Sequence, residues 1–281
     1  MTELKVWDEP KTPEIIMNEL FEKYNKDSLY VLLSGGKDSV CIADYIAENY
    51  PDKFKGCVFT NVGLGAQETR KFVISYCNER GWKLFLTWPS EKERLYNIVM
   101  THGFAGDGNH KMWMGFLKYH TWRAFILERL KLGEKACFIS GVRKKESKAR
   151  DKIKKYTRQP IDIDDKMVFC KPFLYKNGLQ LWNYFIEHNL KKSPVYEWLN
   201  KSGECLCGAH AQEWELKLLE KFDRLAFESI KWLEQQIEKF GSKKAKKYNK
   251  WGNGPKTQDI EEQTTLENFN EDYCGESCVI E

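Results

Sequence analysis

Short apolar runs alternate along the first two thirds of the chain with longer stretches whose apolar positions recur at helical spacing. The runs Leu29 to Leu33, Cys57 to Thr60, Leu84 to Thr87, Ala136 to Ser140 and Met167 to Cys170 read as strands, each short and bounded by turn or polar residues. Between them, Val40 to Glu48, Gln67 to Glu79, Lys92 to Met100 and Phe116 to Leu130 read as amphipathic helices. Strand and helix in alternation predict crossover helices on a mostly parallel sheet, with ligands bound beyond the carboxyl ends of the strands. A further helix over Pro13 to Lys26 precedes the first strand, its proline suited to the first turn.

After about residue 175 the alternation stops. Leu181 to His188 and a long stretch from Ala211 to Phe240 read as helices, the latter carrying Trp214, Leu218, Leu219, Phe222, Leu225, Ile230, Leu233 and Ile237 on one side. That stripe is expected to dock on the parent core. The chain is therefore divided into a nucleotide-binding α/β part, residues 1–174, and a helical, cysteine-bearing part, residues 175–281.

With 281 residues, 42% of them hydrophobic and 31% charged, the composition is that of a globular protein. No apolar run is long enough to cross a bilayer, and the first ten residues carry no apolar core of a secretory signal. Net charge is +4, unevenly spread. Residues 143–158 hold nine Lys/Arg and two acids, residues 239–256 seven Lys and no acid, and residues 257–281 eight acids and no base. Basic blocks of this kind either meet a polyanion or keep a surface soluble. Nine cysteines without a leader fit thiols kept reduced in a cytoplasm and free for metal or sulfur chemistry.

The most specific chemistry lies in Ser34-Gly35-Gly36-Lys37-Asp38-Ser39, set between the first strand and its helix. Paired glycines allow a tight turn and close backbone approach to oxygens, while the following amides and the positive helix end donate to phosphate. Lys37 adds a cation, Ser34 and Ser39 add hydroxyls, and Asp38 is placed to brace the loop or hold magnesium. Neither the Walker spacing nor the dinucleotide glycine pattern is present. Farther on, Gly141 follows the fourth predicted strand, and Arg143, Ser147 and Arg150 follow it at spacings that bring guanidinium forks to one helical face, a geometry suited to phosphate or sulfate.

The hexapeptide resembles that of the PP-loop ATP pyrophosphatases, and within them the phosphoadenosine phosphosulfate reductase-like family. Residues 28–210 carry the resemblance through Thr60-Asn61-Val62-Gly63, Gly141-Val142-Arg143 with Glu146-Ser147 and Arg150, Lys171-Pro172-Phe173 with Trp182, and Ser193-Pro194-Val195-Tyr196. The resemblance implies a Rossmann-like sheet whose loop holds the phosphates of an adenine nucleotide, ATP with magnesium. It implies nucleotide contacts at residues 34–39, Thr60, Gly63, Lys118, Gly141, Arg143 and Ser147, with Lys37, Asp38, Arg143 and Arg150 acting in the chemistry. At Met114 the chain lacks a thiol that relatives carry.

Cys205-Leu206-Cys207 and Cys274-Gly275-Glu276-Ser277-Cys278 form two close pairs. Four thiolates suffice for a [4Fe-4S] cluster or, less in keeping with sulfur-handling relatives, tetrahedral zinc, and the two pairs read otherwise as separate redox or incidental thiols; convergence would order an acidic tail too polar to fold alone. Cys41, Cys57, Cys77, Cys137 and Cys170 sit in apolar patterns and read as core. His102 and His110, eight residues apart, form no recognised zinc spacing and read as loop residues near Gly103, Gly106 and Gly108.

A complete phosphate loop favours ATP-dependent adenylation of an acceptor, with release of pyrophosphate and sulfur transfer from a donor protein or other sulfur source. The basic blocks, with Tyr156, Tyr248 and Trp251 as stacking surfaces, suit an RNA or DNA acceptor. The alternatives are a sulfonucleotide reductase using a C-terminal cysteine, for which Cys274-Gly275 is the candidate, and a nucleotide sensor without turnover.

Overall fold

The computed structural model describes residues 10–144, 159–164 and 166–256. These fall into two compact units: one from residues 10–61, 66–88 and the described parts of 120–204, the other from 62–65, 89–119 and 205–256.

The first unit is an α/β layer structure. Its strands are β1 (Ser28–Leu32), β2 (Phe54–Thr60), β3 (Leu84–Thr87), β4 (Ala136–Ile139), β5 (Ile161–Asp164) and β6 (Met167–Cys170), in the order β3-β2-β1-β4-β6-β5. All pairings are parallel except that of β5 with β6. Helices α1 (Pro13–Tyr24), α2 (Lys37–Asn49), α3 (Gln67–Glu79), α6 (His120–Lys131), α7 (Gly178–Glu187) and α8 (Tyr196–Leu199) also belong to it.

Parallel strands need cover on both faces. Ile16, Met17 and Leu20 of α1 and Val40, Cys41, Ile42 and Ile46 of α2 join Leu29, Val31, Cys57, Phe59, Cys137, Ile139 and Cys170 in one buried core. An aromatic layer formed by Tyr30, Phe85, Phe125, Phe138, Phe169 and Trp122 packs edge-on and stacked. All five cysteines read as core are buried. The chain winds from β1 out to β3, then returns to place β4 on the other side of β1. Strand order thus reverses between β1 and β4, and their following loops lie side by side.

The second unit holds α4 (Leu95–His102), α5 (His110–Met114), a π-helical turn at Gly115–Tyr119, α9 (Glu213–Phe222), α10 (Arg224–Phe240) and α11 (Lys243–Lys247). The long helix expected over 211–240 is broken at Asp223, whose side chain caps α10 by accepting from the Ala226 N–H at 3.1 Å. The break divides the apolar stripe. Leu219, Ile230, Leu233 and Ile237 are buried, whereas Trp214, Phe222 and Leu225 are exposed. β5 was not expected, and Phe116 to Leu130 is a π turn followed by α6 rather than one helix. Among the described residues no helix is long and apolar enough to cross a membrane.

Candidate nucleotide-phosphate site

The loop after β1 is closed by its own hydroxyls. Ser39 Oγ donates to the Gly36 carbonyl at 2.8 Å and accepts from the Ser34 N–H and the Ser34 hydroxyl, each at 3.1 Å. Gly35 takes φ +77°, a conformation that costs glycine least, and a Cβ there would crowd Thr69 and Val73. A Cβ on Gly36 would lie 2.7 Å from the Tyr196 hydroxyl. The Gly35 carbonyl accepts from the Ser193 N–H at 2.9 Å. A ring of backbone held in this way at the start of α2 offers amides and a helix dipole to an anion without rearrangement.

Two cations flank it. Lys37 Nζ lies 3.2 Å from Asp38 Oδ1 and 5.7 Å from the centre of the Trp182 ring; Arg143 Nε donates to Asp38 Oδ2 at 2.7 Å. Arg143 is 7% exposed and so is held by burial as well as charge. This pairing follows from the reversal in strand order, which brings the loop after β4 against the start of α2. Gly141 marks the contact, since a Cβ there would fall 2.5 Å from the Asp38 carbonyl oxygen.

Asp38 meets Lys37 through one carboxylate oxygen and Arg143 through the other, and Ser39 closes the loop; each carboxylate oxygen keeps a second lone pair. Asp38 is the residue of the loop that would hold a magnesium ion accompanying ATP, beside the phosphate oxygens themselves. Lys192 adds positive charge over Trp182 and Tyr196, at 5.5 and 5.0 Å from the ring centres. These two aromatics and Lys192 form a rim that the loop sequence alone did not reveal.

The remaining expected residues divide. Thr60 is buried, its hydroxyl bonded to Thr87 Oγ1 at 3.0 Å and to the Trp122 indole N–H at 2.9 Å, within the sheet. Gly63, at φ +89°, and Lys118, in the π turn, belong to the second unit. Lys118 exerts its charge on Cys205. Ser147 and Arg150 lie outside the described residues, as do Cys274, Cys278 and Tyr156. Trp251, read as an exposed stacking surface, is instead buried, and its indole donates to the Leu206 carbonyl at 2.7 Å.

Of the four thiols expected to converge on a cluster, Cys205 and Cys207 stand together. Among the described residues, three metal-type donors come within 4.8 Å of one another only at Asp44, Glu48 and His188. There Asp44 is already met by Arg80 at 3.1 Å, the Tyr184 hydroxyl at 3.0 Å and His188 Nδ1 at 2.9 Å, a satisfied ion-pair network rather than a vacant cation site.

The sheet and the closed loop define a doubly wound α/β protein of the class that grips nucleotide phosphates at a strand-to-helix turn. Residues 28–202 match the phosphoadenosine phosphosulfate reductase domain, and the chain belongs to that family. Membership makes it a nucleotide-binding enzyme of the PP-loop superfamily. No curated protein matches it.

Among solved structures it is similar to phosphoadenylyl-sulfate reductase from Candida auris in a phosphate complex (13% identity, TM-score 0.46, covering 66% of this chain and 84% of that one). It is also similar to Candida glabrata FMN adenylyltransferase, with FMN and the ATP analogue AMPCPP (15% identity, TM-score 0.43) and with FAD and inorganic pyrophosphate (16%, 0.45). In both cases 66% of this chain aligns with 58% of the adenylyltransferase.

Arg143 gives a test of the site. In Arg143→Lys the charge survives but the planar fork does not, so one contact to Asp38 or to phosphate is lost. Nucleotide affinity should fall about tenfold with little change in melting temperature, an outcome that titration calorimetry and thermal denaturation separate. Unchanged affinity would reduce Arg143 to a structural ion pair.

Proposed function

We propose that the protein reduces an adenylyl sulfate-type nucleotide by thiol attack. The observation that carries this reading is the domain match over residues 28–202, which spans the phosphate loop, its flanking cations and the segment up to the cysteine-bearing loop. In the reaction, a cysteine thiolate attacks the sulfonate sulfur. A sulfur–sulfur bond forms and the bond from sulfur to the phosphate oxygen breaks. The nucleotide leaves with its phosphate, and the cysteine carries the sulfonate. A second thiol then attacks the cysteine sulfur, releasing sulfite and leaving a disulfide.

Charge builds on the departing phosphate, where the loop amides, Lys37 and Arg143 stabilise it. Cys274, in its Cys-Gly pair, is the candidate attacking thiol.

A second reading rests on one feature of the loop. Ser34-Gly35-Gly36-Lys37-Asp38-Ser39 is complete, with Lys37 and Asp38 both present, as in enzymes that split ATP between the α and β phosphates. In that reading the enzyme adenylates an acceptor, nucleic acid among the candidates, releases pyrophosphate and lets a sulfur donor displace the nucleotide.

Calorimetry with ATP, adenylyl sulfate and phosphoadenylyl sulfate, followed by sulfite and pyrophosphate assays, distinguishes the two. Sulfite release that needs a thiol reductant and is lost in Cys274→Ser is the expected result. Pyrophosphate release from ATP without binding of either sulfonucleotide would replace it with the second reading. Binding without turnover of any of the three would leave a sensor.

A further inference from the structure

The second unit carries a basic segment with no acid of its own, residues 239–256 with seven Lys, and the fold decides where that charge goes. Ser242 caps α11 by accepting from the Ala245 N–H at 3.0 Å. It also ties the helix to the end of α4, its N–H donating to the Met100 carbonyl at 3.0 Å and its hydroxyl to the Thr101 carbonyl at 2.7 Å. Beyond the helix, the Tyr248 carbonyl accepts from the Phe104 N–H at 2.8 Å. Within α11 Ala245 is buried, and Lys243, Lys244, Lys246 and Lys247 around it are exposed.

A run of lysines is ordinarily a solvated face. This one differs in two respects. Among the described residues no carboxylate pairs with Lys239 or with the four lysines of α11, whereas their neighbours Lys231 and Lys250 share the buried Glu234 at 3.1 and 3.4 Å. The acid next to Lys239, Glu238, accepts from the Asn249 side chain instead. Like charges one turn apart repel, and nothing described in the fold offsets them here.

The second respect is an aromatic pair left in solvent. Tyr96 of α4 and Trp232 of α10 are 40% and 50% exposed, their ring centres 5.6 Å apart at an angle of 31°. Trp232 and Lys239 lie seven residues apart, on one face of α10 and about 10 Å along its axis. Tyr96 and Met100 likewise share a face of α4, and Met100 is where α11 is tied. The rings and the lysines therefore follow one another along the same surface.

We propose that this surface binds single-stranded nucleic acid, with phosphates on Lys239 and the lysines of α11 and a base stacked at Tyr96 and Trp232. Unpaired cations take up the backbone charge, and an exposed ring takes any base that is not already stacked in a duplex. An acidic peptide would meet the lysines and leave the rings unused. DNA and RNA share this chemistry. The surface lies outside the matched domain, and its role is independent of which reaction the phosphate site performs.

Fluorescence anisotropy of the full-length protein, with labelled 20-nucleotide single strands of one mixed sequence made as DNA and as RNA, tests this. Tight binding of either supports the surface, and the stronger arm names the sugar it prefers. Log K should fall with log salt at a slope of about −3, as expected for about four phosphate contacts on a single strand. Changing Lys243, Lys244, Lys246 and Lys247 together to Gln should weaken binding at low salt at least about thirtyfold and flatten that slope. Trp232→Ala should cost about tenfold on single strands and leave the slope unchanged, because stacking carries no counterion release. It also covers the case in which the quadruple variant fails to fold, which circular dichroism detects. Full binding by a folded quadruple variant would place the contact elsewhere on the chain. Poly-glutamate of equal charge binding as tightly as the oligonucleotides would make this a surface for acidic peptide, residues 257–281 of the chain included. A duplex of the same sequence binding as tightly as the single strand, with Trp232→Ala silent, would remove the stacking site. Each of these three results overturns the proposal.

Discussion

In Lys37→Ala, turnover should fall about 10²- to 10³-fold while the protein keeps its melting temperature. Removing a preorganised donor from a developing oxyanion costs about 2.7–4 kcal/mol of transition-state stabilisation. The fold should tolerate the change because Asp38 keeps its 2.7 Å contact with Arg143 and the loop is closed by Ser39, not by the lysine. Lys37→Met sharpens the result: it preserves much of the stem near the Trp182 ring and removes only the charge. If kcat/KM, measured for whichever nucleotide turns over, survives in both variants, the loop binds phosphate without stabilising its departure.

Gly141→Ala should damage binding through geometry alone. Gly141 is not at positive φ; what excludes a side chain is backbone, with Asp38 O, Asp38 C and Ser39 N at 2.5, 2.7 and 3.1 Å from the Cβ position. No rotamer relieves contact with main chain, so the β4 loop and the start of α2 must separate. Overpacking of this kind costs about 1–3 kcal/mol. The separation also loosens the Arg143–Asp38 pair, and affinity for the nucleotide should drop more than tenfold. Gly178→Ala is the control, because a Cβ at that position meets nothing within 4 Å. Calorimetry and thermal melts of the two variants side by side would show whether the effect belongs to the site. Equal behaviour would mean that the two loops part at no cost.

What the sequence disclosed was what local chemistry determines. The five strands flanked by turns and the Ser34–Ser39 loop are written in contiguous residues, and the structure has them within a residue or a few of the expected bounds. β5 escaped because Ile161-Asp162-Ile163-Asp164 is four residues long, rich in a residue that disfavours strands and adjoins a basic block. It is held by pairing with β6 and by the contact of buried Lys171 with Asp162, neither of which a local pattern contains.

Asp223 was legible in principle, as an N-cap residue inside a helical run, but the unbroken periodicity around it concealed the stop. The meeting of His110 with His210 had no local signal. It depends on the fold bringing α5 to the loop after residue 204, and two histidines judged by spacing alone told nothing of it.

The bond from the Ser193 N–H to the Gly35 carbonyl bears on how the site comes into being during synthesis. Thr69 strengthens the same junction, its hydroxyl meeting Ser193 Oγ at 2.8 Å and the Ser202 carbonyl, so the turn after the first strand is completed by residues more than 150 positions later. A ribosome delivers the glycine-rich turn early and its far wall late, and contacts of such sequence separation form slowly. A nascent chain that stops short of Ser193 carries the whole hexapeptide yet lacks the backbone donor that sets Gly35. Competence to hold a nucleotide should therefore arise in one late step, near the end of the matched domain, rather than growing with chain length.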